Sequence, residues 1–284
     1  MNHLPTDALA LTGLAPDWLA LRAQATEYHL PAGGAPVFVV ADAHLGDARS
    51  PEADFVALLE ALPAASMLVL LGDVFQVWLA LPRFHTPAIQ RVLAALESLR
   101  QRGTAVALVV GNREFFVPAT TPAARQAGLP VDWVVPDMGV LVWGQHKWGV
   151  THGDLANRKD AKYLRWRRIA RGRTLACVFR GMPGLLANAI ARRLERSLAA
   201  TNRDIKVSYP QTELTAFAQA LTPGLDGFLL GHFHLERQLE GEDGSQVWIV
   251  PDWHSQRVVY GLTAAGQRHR WVFHRSKGLQ ETPL

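Results

Sequence analysis

From residue 37 onward the chain alternates short, uninterrupted apolar runs with longer stretches of helical periodicity. The runs are VFVV at 37–40, MLVLL at 67–71, VALVV at 106–110, WGV at 148–150 and GFLL at 227–230. Such continuous apolar runs predict strands buried on both faces. Between the first three lie FVALLEAL at 55–62 and AIQRVLAALESLRQRG at 88–103, whose apolar spacing predicts helices, the second stopped at Gly103. Strand–helix alternation of this kind predicts a mainly parallel α/β core. Beyond residue 234, QVWIV, RVVYGL and HRWVFH read as successive antiparallel strands that complete a second sheet. Residues 1–35 precede this pattern as an extension, with one helix around 18–25 closed by Pro31, Gly33 and Gly34. There is no internal repeat and no low-complexity tract.

The polar residues that follow these runs carry the chemistry. The first run is followed by Asp42 and His44, the second by Asp73, the third by Asn112, the fourth by His152 and the fifth by His232 and His234. In open α/β sheets, groups that act on a ligand gather beyond the carboxyl ends of the strands. In extended chain, residues two apart point the same way, so Asp42 with His44, and His232 with His234, present two donors each. A single D-x-H or a glycine before a polar residue is ordinarily just a strand-to-loop turn. Five strand ends bearing donors in one chain argue for a shared site instead. Oxygen and imidazole donors without thiolate suit Mn²⁺, Fe or Zn²⁺. Seven donors are too many for one tetrahedral ion and enough for two if a carboxylate bridges, with Asp73, central in the order, as the natural bridge. Two ions about 3.5–4 Å apart would activate a water and stabilise both attacking and leaving oxygens in phosphoryl transfer.

Composition narrows the setting. With 284 residues, 49% of them apolar and 19% charged, the chain is long enough for a sizeable core and too apolar for intrinsic disorder. The lone Cys177 makes no internal disulfide, the N-terminus lacks a signal-peptide pattern, and no uninterrupted apolar stretch is long enough to span a bilayer. A cytoplasmic location is the expectation. The net charge of +4 hides a segregation, because residues 158–206 carry a net +11 and the remainder a net −7. Apolar patches within that block, TLACVF and GLLANAIA, predict two short amphipathic helices that lie on an anionic surface or face an anionic ligand.

D-A-H-L, G-D-V-F, G-N-R-E, T-H-G-D and G-H-F-H together resemble the calcineurin-like metallophosphoesterases, over roughly residues 37–256. The resemblance implies a four-layered α/β/β/α sandwich with a helical cap insertion and a two-metal centre, commonly manganese. By position, Asp42, His44, Asp73 and His234 would hold one ion, and Asp73, Asn112, His152 and His232 the other. Many members of that superfamily read G-N-H, where this chain has Arg113. An arginine is no proton donor near neutral pH, but it binds phosphate bidentately and suits a reaction with a good leaving group. The G-N-R form is similar to that of the UDP-2,3-diacylglucosamine diphosphatases of lipid A synthesis. That resemblance implies catalytic roles for Asn112 and Arg113 and substrate contacts from Trp78, Arg113, Asp160 and Tyr163. It matches the P-D-W-H segment with Trp253 and His254, and it makes the basic block the cap. The domains expected are an extension at 1–35, a core at 36–157 and 207–275, the cap at 158–206 and a tail at 276–284. The implied substrate is a lipid-linked nucleotide, taken at the cytoplasmic face of the inner membrane by a peripheral enzyme that binds no nucleic acid. Leu175, Phe179, Leu185, Leu186 and Ile190 would then meet acyl chains or lipid. The alternative is another nucleotide or phosphodiester substrate for the same chemistry.

Overall fold

A computed structural model describes residues 16–31, 34–46, 52–183, 190, 193, 210–241 and 244–283. The strands form two large sheets. One has seven strands in the order Gly278–Thr282, Arg268–His274, Val258–Leu262, Val37–Val40, Met67–Leu70, Ala105–Val109 and Trp133–Val135. Its last four strands run parallel, and the C-terminal three join antiparallel. The other has six strands in the order Thr26–His29, Met138–Trp143, His146–Thr151, Gly227–Leu230, Gln246–Ile249 and Arg237–Glu240.

Side-chain alternation along these strands builds the layers. Val37, Val39, Val69, Ala107 and Val109 face Leu141, Val150, Leu229 and Trp248 between the sheets. Their neighbours Phe38, Val40, Leu68, Leu70 and Leu108 point the other way, onto Phe55, Leu58 and Leu59 of Glu52–Ala61 and Val92 and Leu96 of Pro87–Gln101. On the far side of the six-stranded sheet, Val140, Phe228, Leu230 and Val247 receive Leu214 and Phe217 from Gln211–Leu221. The result is the helix–sheet–sheet–helix order that the resemblance implies.

One expected pairing differs. Gln246–Ile249 runs parallel to Gly227–Leu230 in the six-stranded sheet, whereas Val258–Leu262 and Arg268–His274 are antiparallel partners in the other. Between them the chain crosses sheets at Pro251–Asp252, where the Trp253 N–H donates to the Ala41 carbonyl at 2.9 Å. Periodicity alone specifies neither partner nor direction.

The described part of the N-terminal extension, residues 16–31, is built into the sandwich. Thr26–His29 pairs in parallel with residues 139–142. Trp18, in the helix Trp18–Ala23, packs edge-on against Phe217 with centroids 5.4 Å apart and donates its indole N–H to the Leu155 carbonyl at 3.1 Å. Truncating this side chain to alanine is expected to destabilise the fold by about 3 kcal/mol. A thermal unfolding midpoint equal to that of the parent chain would show that the extension contributes no packing.

In the basic insertion, the helices Ala161–Ala170 and Arg173–Gly181 are separated by Arg171 and Gly172. Phe179 is buried among Leu79, Phe115 and Ala170, with Leu175 packed alongside, so these two face the core. Ile169 and Val178 are exposed. Leu185 and Leu186 lie outside the described residues.

Candidate metal centre

Both sheets deliver donors to one edge. Asp42, His44, Asp73 and Asn112 follow three parallel strands of the seven-stranded sheet, and His152, His232 and His234 follow two strands of the facing sheet. The loops go on bonding past the strands: the His44 N–H donates to the Asp73 carbonyl and the Leu45 N–H to the Val74 carbonyl, both at 2.9 Å. Asp42, His44, Asp73, His232 and His234 all have positive φ, between 45° and 71°. That left-handed region is unfavourable for residues with a Cβ, and its concentration here shows backbone conformation subordinated to where the side chains must point.

The seven donors form two adjoining groups. His44 Nε2 lies 3.1 Å from His234 Nε2, and Asp42 Oδ1 is 3.8 and 3.5 Å from these two nitrogens. In the second group, Asn112 Oδ1 is 3.0 Å from His152 Nε2 and 3.1 Å from His232 Nδ1, while Asp73 Oδ1 is 3.6 Å from His152 Nε2. Asp42, Asp73 and His152 also approach closely enough to share an ion, which makes Asp42 common to both clusters of carboxylate and imidazole atoms.

These atoms suit a divalent cation. Asp42 Oδ2 accepts the His232 N–H at 2.8 Å, which orients the carboxylate and leaves Oδ1 with no hydrogen-bond donor among the described residues. His152 Nδ1 lies 2.7 Å from the Leu71 carbonyl and must donate to it, so Nε2 turns to the site. Burial drives His232 down to about 3 and His44 well below its ordinary range, leaving neutral imidazoles. Burial also works to lower His152, but Asp73, Asp42 and Asp154 raise it to about 9. The same carboxylate field attracts a metal ion. Buried, converging oxygen and imidazole donors of this kind match Mn²⁺, Fe or Zn²⁺.

Small residues and one acid let the loops meet. A Cβ on Gly111 would stand 2.4 Å from Asp73 Oδ1 and 2.6 Å from the Asp73 backbone nitrogen. Glu114 Oε2 accepts N–H bonds from Asp73 at 2.9 Å and Gly111 at 2.7 Å, and Oε1 accepts from Val74 at 2.8 Å. Burial, then Asp73, raises this carboxyl to about 7, while three backbone donors favour its ionised form. Gly111→Ala is expected to lower metal affinity or turnover about ten- to a hundredfold by separating the two loops. Wild-type metal stoichiometry together with wild-type kcat in that variant would contradict the close approach.

The predicted substrate contacts are placed differently from one another. Arg113 is 2% exposed; its Nε lies 3.3 Å from Asp73 Oδ2 and its Nη1 donates to the Gln76 carbonyl at 3.3 Å. The short parallel pair Trp78–Leu79 and Glu114–Phe115 holds Trp78 beside it, buried, with the indole N–H 3.3 Å from His85 Nε2. Asp160 caps the helix Ala161–Ala170 by accepting the Tyr163 N–H at 2.9 Å, and the Tyr163 hydroxyl donates to Asp154. His254 has its ring centroid 6.4 Å from that of His44.

Sequence reasoning missed the supporting residues. Glu114 ends the G-N-R-E motif and Asp154 the T-H-G-D motif, so their position is a usable signal. Asp154 is buried, which raises a carboxyl, yet Arg167, then His152 and Arg171, hold it well below the usual carboxylate range. Arg167 and Arg171 had no local signal within so basic a segment.

No family model matches the chain. It is 30% identical over 230 residues to the UDP-2,3-diacylglucosamine hydrolase of Ralstonia nicotianae, covering 77% of this chain and 84% of that protein. The enzyme of the same name from Neisseria meningitidis serogroup B is 26% identical over 234 residues, covering 78% and 90%. Among solved structures, Chaetomium thermophilum Vps29 aligns with a TM-score of 0.44 and 12% identity, covering 87% of this chain and 95% of that one. Given the extent and identity of the match to the Ralstonia enzyme, together with a donor set fit for two metal ions, this chain belongs to the UDP-2,3-diacylglucosamine hydrolase family and is a hydrolase.

Proposed function

We propose that the chain cleaves the pyrophosphate of UDP-2,3-diacylglucosamine, giving 2,3-diacylglucosamine 1-phosphate and UMP, at a two-manganese centre. The observation that carries this reading is the buried oxygen–imidazole cluster with Arg113 beside Asp73, in a chain similar over most of its length to hydrolases of that name. Asp42, His44, Asp73 and His234 would hold one ion, and Asp73, Asn112, His152 and His232 the other. Ions bound there supply charge neutralisation for the attacking and leaving oxygens of an in-line displacement by water.

The chain's own contribution is orientation and electrostatics. Asn112 and Arg113, adjacent on one loop, stabilise the equatorial oxygens of the phosphoryl group, Arg113 through its fixed fork of donors. The neutral His44 and His232 offer lone pairs, not protons. With no proton donor at the Arg113 position, the reaction depends on a leaving group already stable as an anion, which a nucleotide phosphate is. Trp78, Asp160 and Tyr163 shape the substrate's side of the site; for Asp160 and Tyr163 this requires exchange of the hydrogen bonds each makes in the described state.

For the cap, assigned to residues 158–206, we propose contact with the lipid surface that carries the substrate. Ile169 and Val178 are exposed on helices that also carry Arg165, Arg168 and Arg180. That combination suits an anionic bilayer interface. Among the described residues no helix is long and apolar enough to cross a membrane. Incubation with UDP-2,3-diacylglucosamine in detergent micelles and Mn²⁺ is expected to release UMP, detected by mass spectrometry, and a chelator is expected to stop it. Brisk cleavage of a soluble diester with no UMP from the lipid would favour another phosphoester substrate.

A further inference from the structure

The helix Ala161–Ala170 and the arginine that ends it grip the loops behind the metal centre. Arg167 Nε donates to Asp154 Oδ2 at 2.8 Å, two residues beyond His152, and another guanidinium nitrogen pairs with Asp137. Arg171 reaches closer to the reacting groups. Its Nη2 donates to the Val110 and Gly111 carbonyls at 3.0 and 3.1 Å, and its Nη1 to the Pro136 carbonyl and Asp137 Oδ1, both at 2.8 Å. The Arg171 backbone is itself fixed to the helix end, where its N–H donates to the Arg167 carbonyl at 3.0 Å.

The Gly111 carbonyl belongs to the peptide that leads into Asn112. The N–H of Gly111 is fixed separately, by Glu114 at 2.7 Å. Gly111 is thus clamped from both ends, its nitrogen by the core and its carbonyl by the cap. The rotation of the Gly111–Asn112 peptide sets where Asn112 Oδ1 stands between His152 and His232. Two nitrogens of one planar fork serve four acceptors, which the single nitrogen of a lysine cannot reproduce.

We infer that Arg171 is a positioning residue for Asn112, through which the cap helix holds the hydrolytic loop in its working geometry. This rests on the role proposed for Asn112, not on the identity of the substrate. The consequence is that the cap supports chemistry even on a substrate it does not otherwise touch.

The test uses the full chain, Mn²⁺ and the soluble probe bis(p-nitrophenyl) phosphate. Arg171→Ala is expected to lower kcat about ten- to a hundredfold while KM stays within about twofold. Millimolar guanidinium should restore part of the lost rate and methylammonium should not. Arg171→Lys should behave like alanine, and it carries the same measurements if the alanine variant fails to fold. Titration with Mn²⁺, followed by the electron paramagnetic resonance of the coupled pair, should show weakened binding of the second ion. Wild-type kcat in Arg171→Lys, a change confined to KM, equal rescue by methylammonium, or an unchanged titration would each overturn the inference. The titration needs no turnover, so it separates failure of this inference from failure of the proposed substrate.

Discussion

Replacing Asp73 by alanine is expected to remove turnover almost completely while the sandwich stays folded. The Asp73 carboxylate accepts the Arg113 N–H at 2.9 Å, pairs with the Arg113 guanidinium at 3.3 Å and faces His152 at 3.6 Å. It is assigned to both proposed ions, so its loss takes a ligand from each. A metal centre contributes several kcal/mol of transition-state stabilisation. A decrease in kcat of about 10⁴-fold follows from about 5 kcal/mol. The cost to folding is smaller. Losing the partner of a buried guanidinium destabilises by about 3 kcal/mol, but the change also relieves repulsion among Asp73, Asp42 and Glu114, which burial has forced together. The measurements are kcat on a soluble diester, metal bound per chain and the thermal midpoint. Turnover within about tenfold of the parent in manganese-replete buffer would sink the assignment.

Arg113→Lys is the second large effect expected, despite keeping the charge. A guanidinium 2% exposed is tolerated because Asp73 and the Gln76 carbonyl take its donors. An ammonium is a compact, strongly hydrated point charge that cannot satisfy both partners and still face a phosphoryl oxygen. Removing one preorganised donor from a developing oxyanion costs about 10²–10³ in kcat, and the decrease should appear in kcat and kcat/KM alike. A variant altered only in KM would assign Arg113 to ground-state binding instead.

These predictions could be framed from sequence because each motif is local: an apolar run, a turn and a polar residue, all within about ten positions. The parallel α/β core was legible for the same reason, since Val37 to Val40 must bury both faces, whereas the four-layer order came only with the family resemblance. What escaped detection is long-range. Nothing in QVWIV specifies its neighbour, so its pairing with Gly227–Leu230 had to be seen. Thr26–His29 is an edge strand with the polar sequence TEYH and offers no apolar run to recognise. Glu114 follows Arg113 as an ordinary acid in the G-N-R-E motif, and only its three N–H donors show that the side chain spans two loops. Arg171 is one cation in a basic stretch, distinguished solely by the carbonyls it reaches.

The edge pairing of Thr26–His29 with residues 139–142 bears on how the molecule is made. Those four residues are synthesised before their partner strand, which follows 113 residues later (Thr26 against Gly139). Because domains generally mature as units during synthesis, the six-stranded sheet cannot acquire its outer margin until residues 139–142 have emerged. Until then the amino-terminal segment waits without its binding partner, and such distant pairing is intrinsically slow.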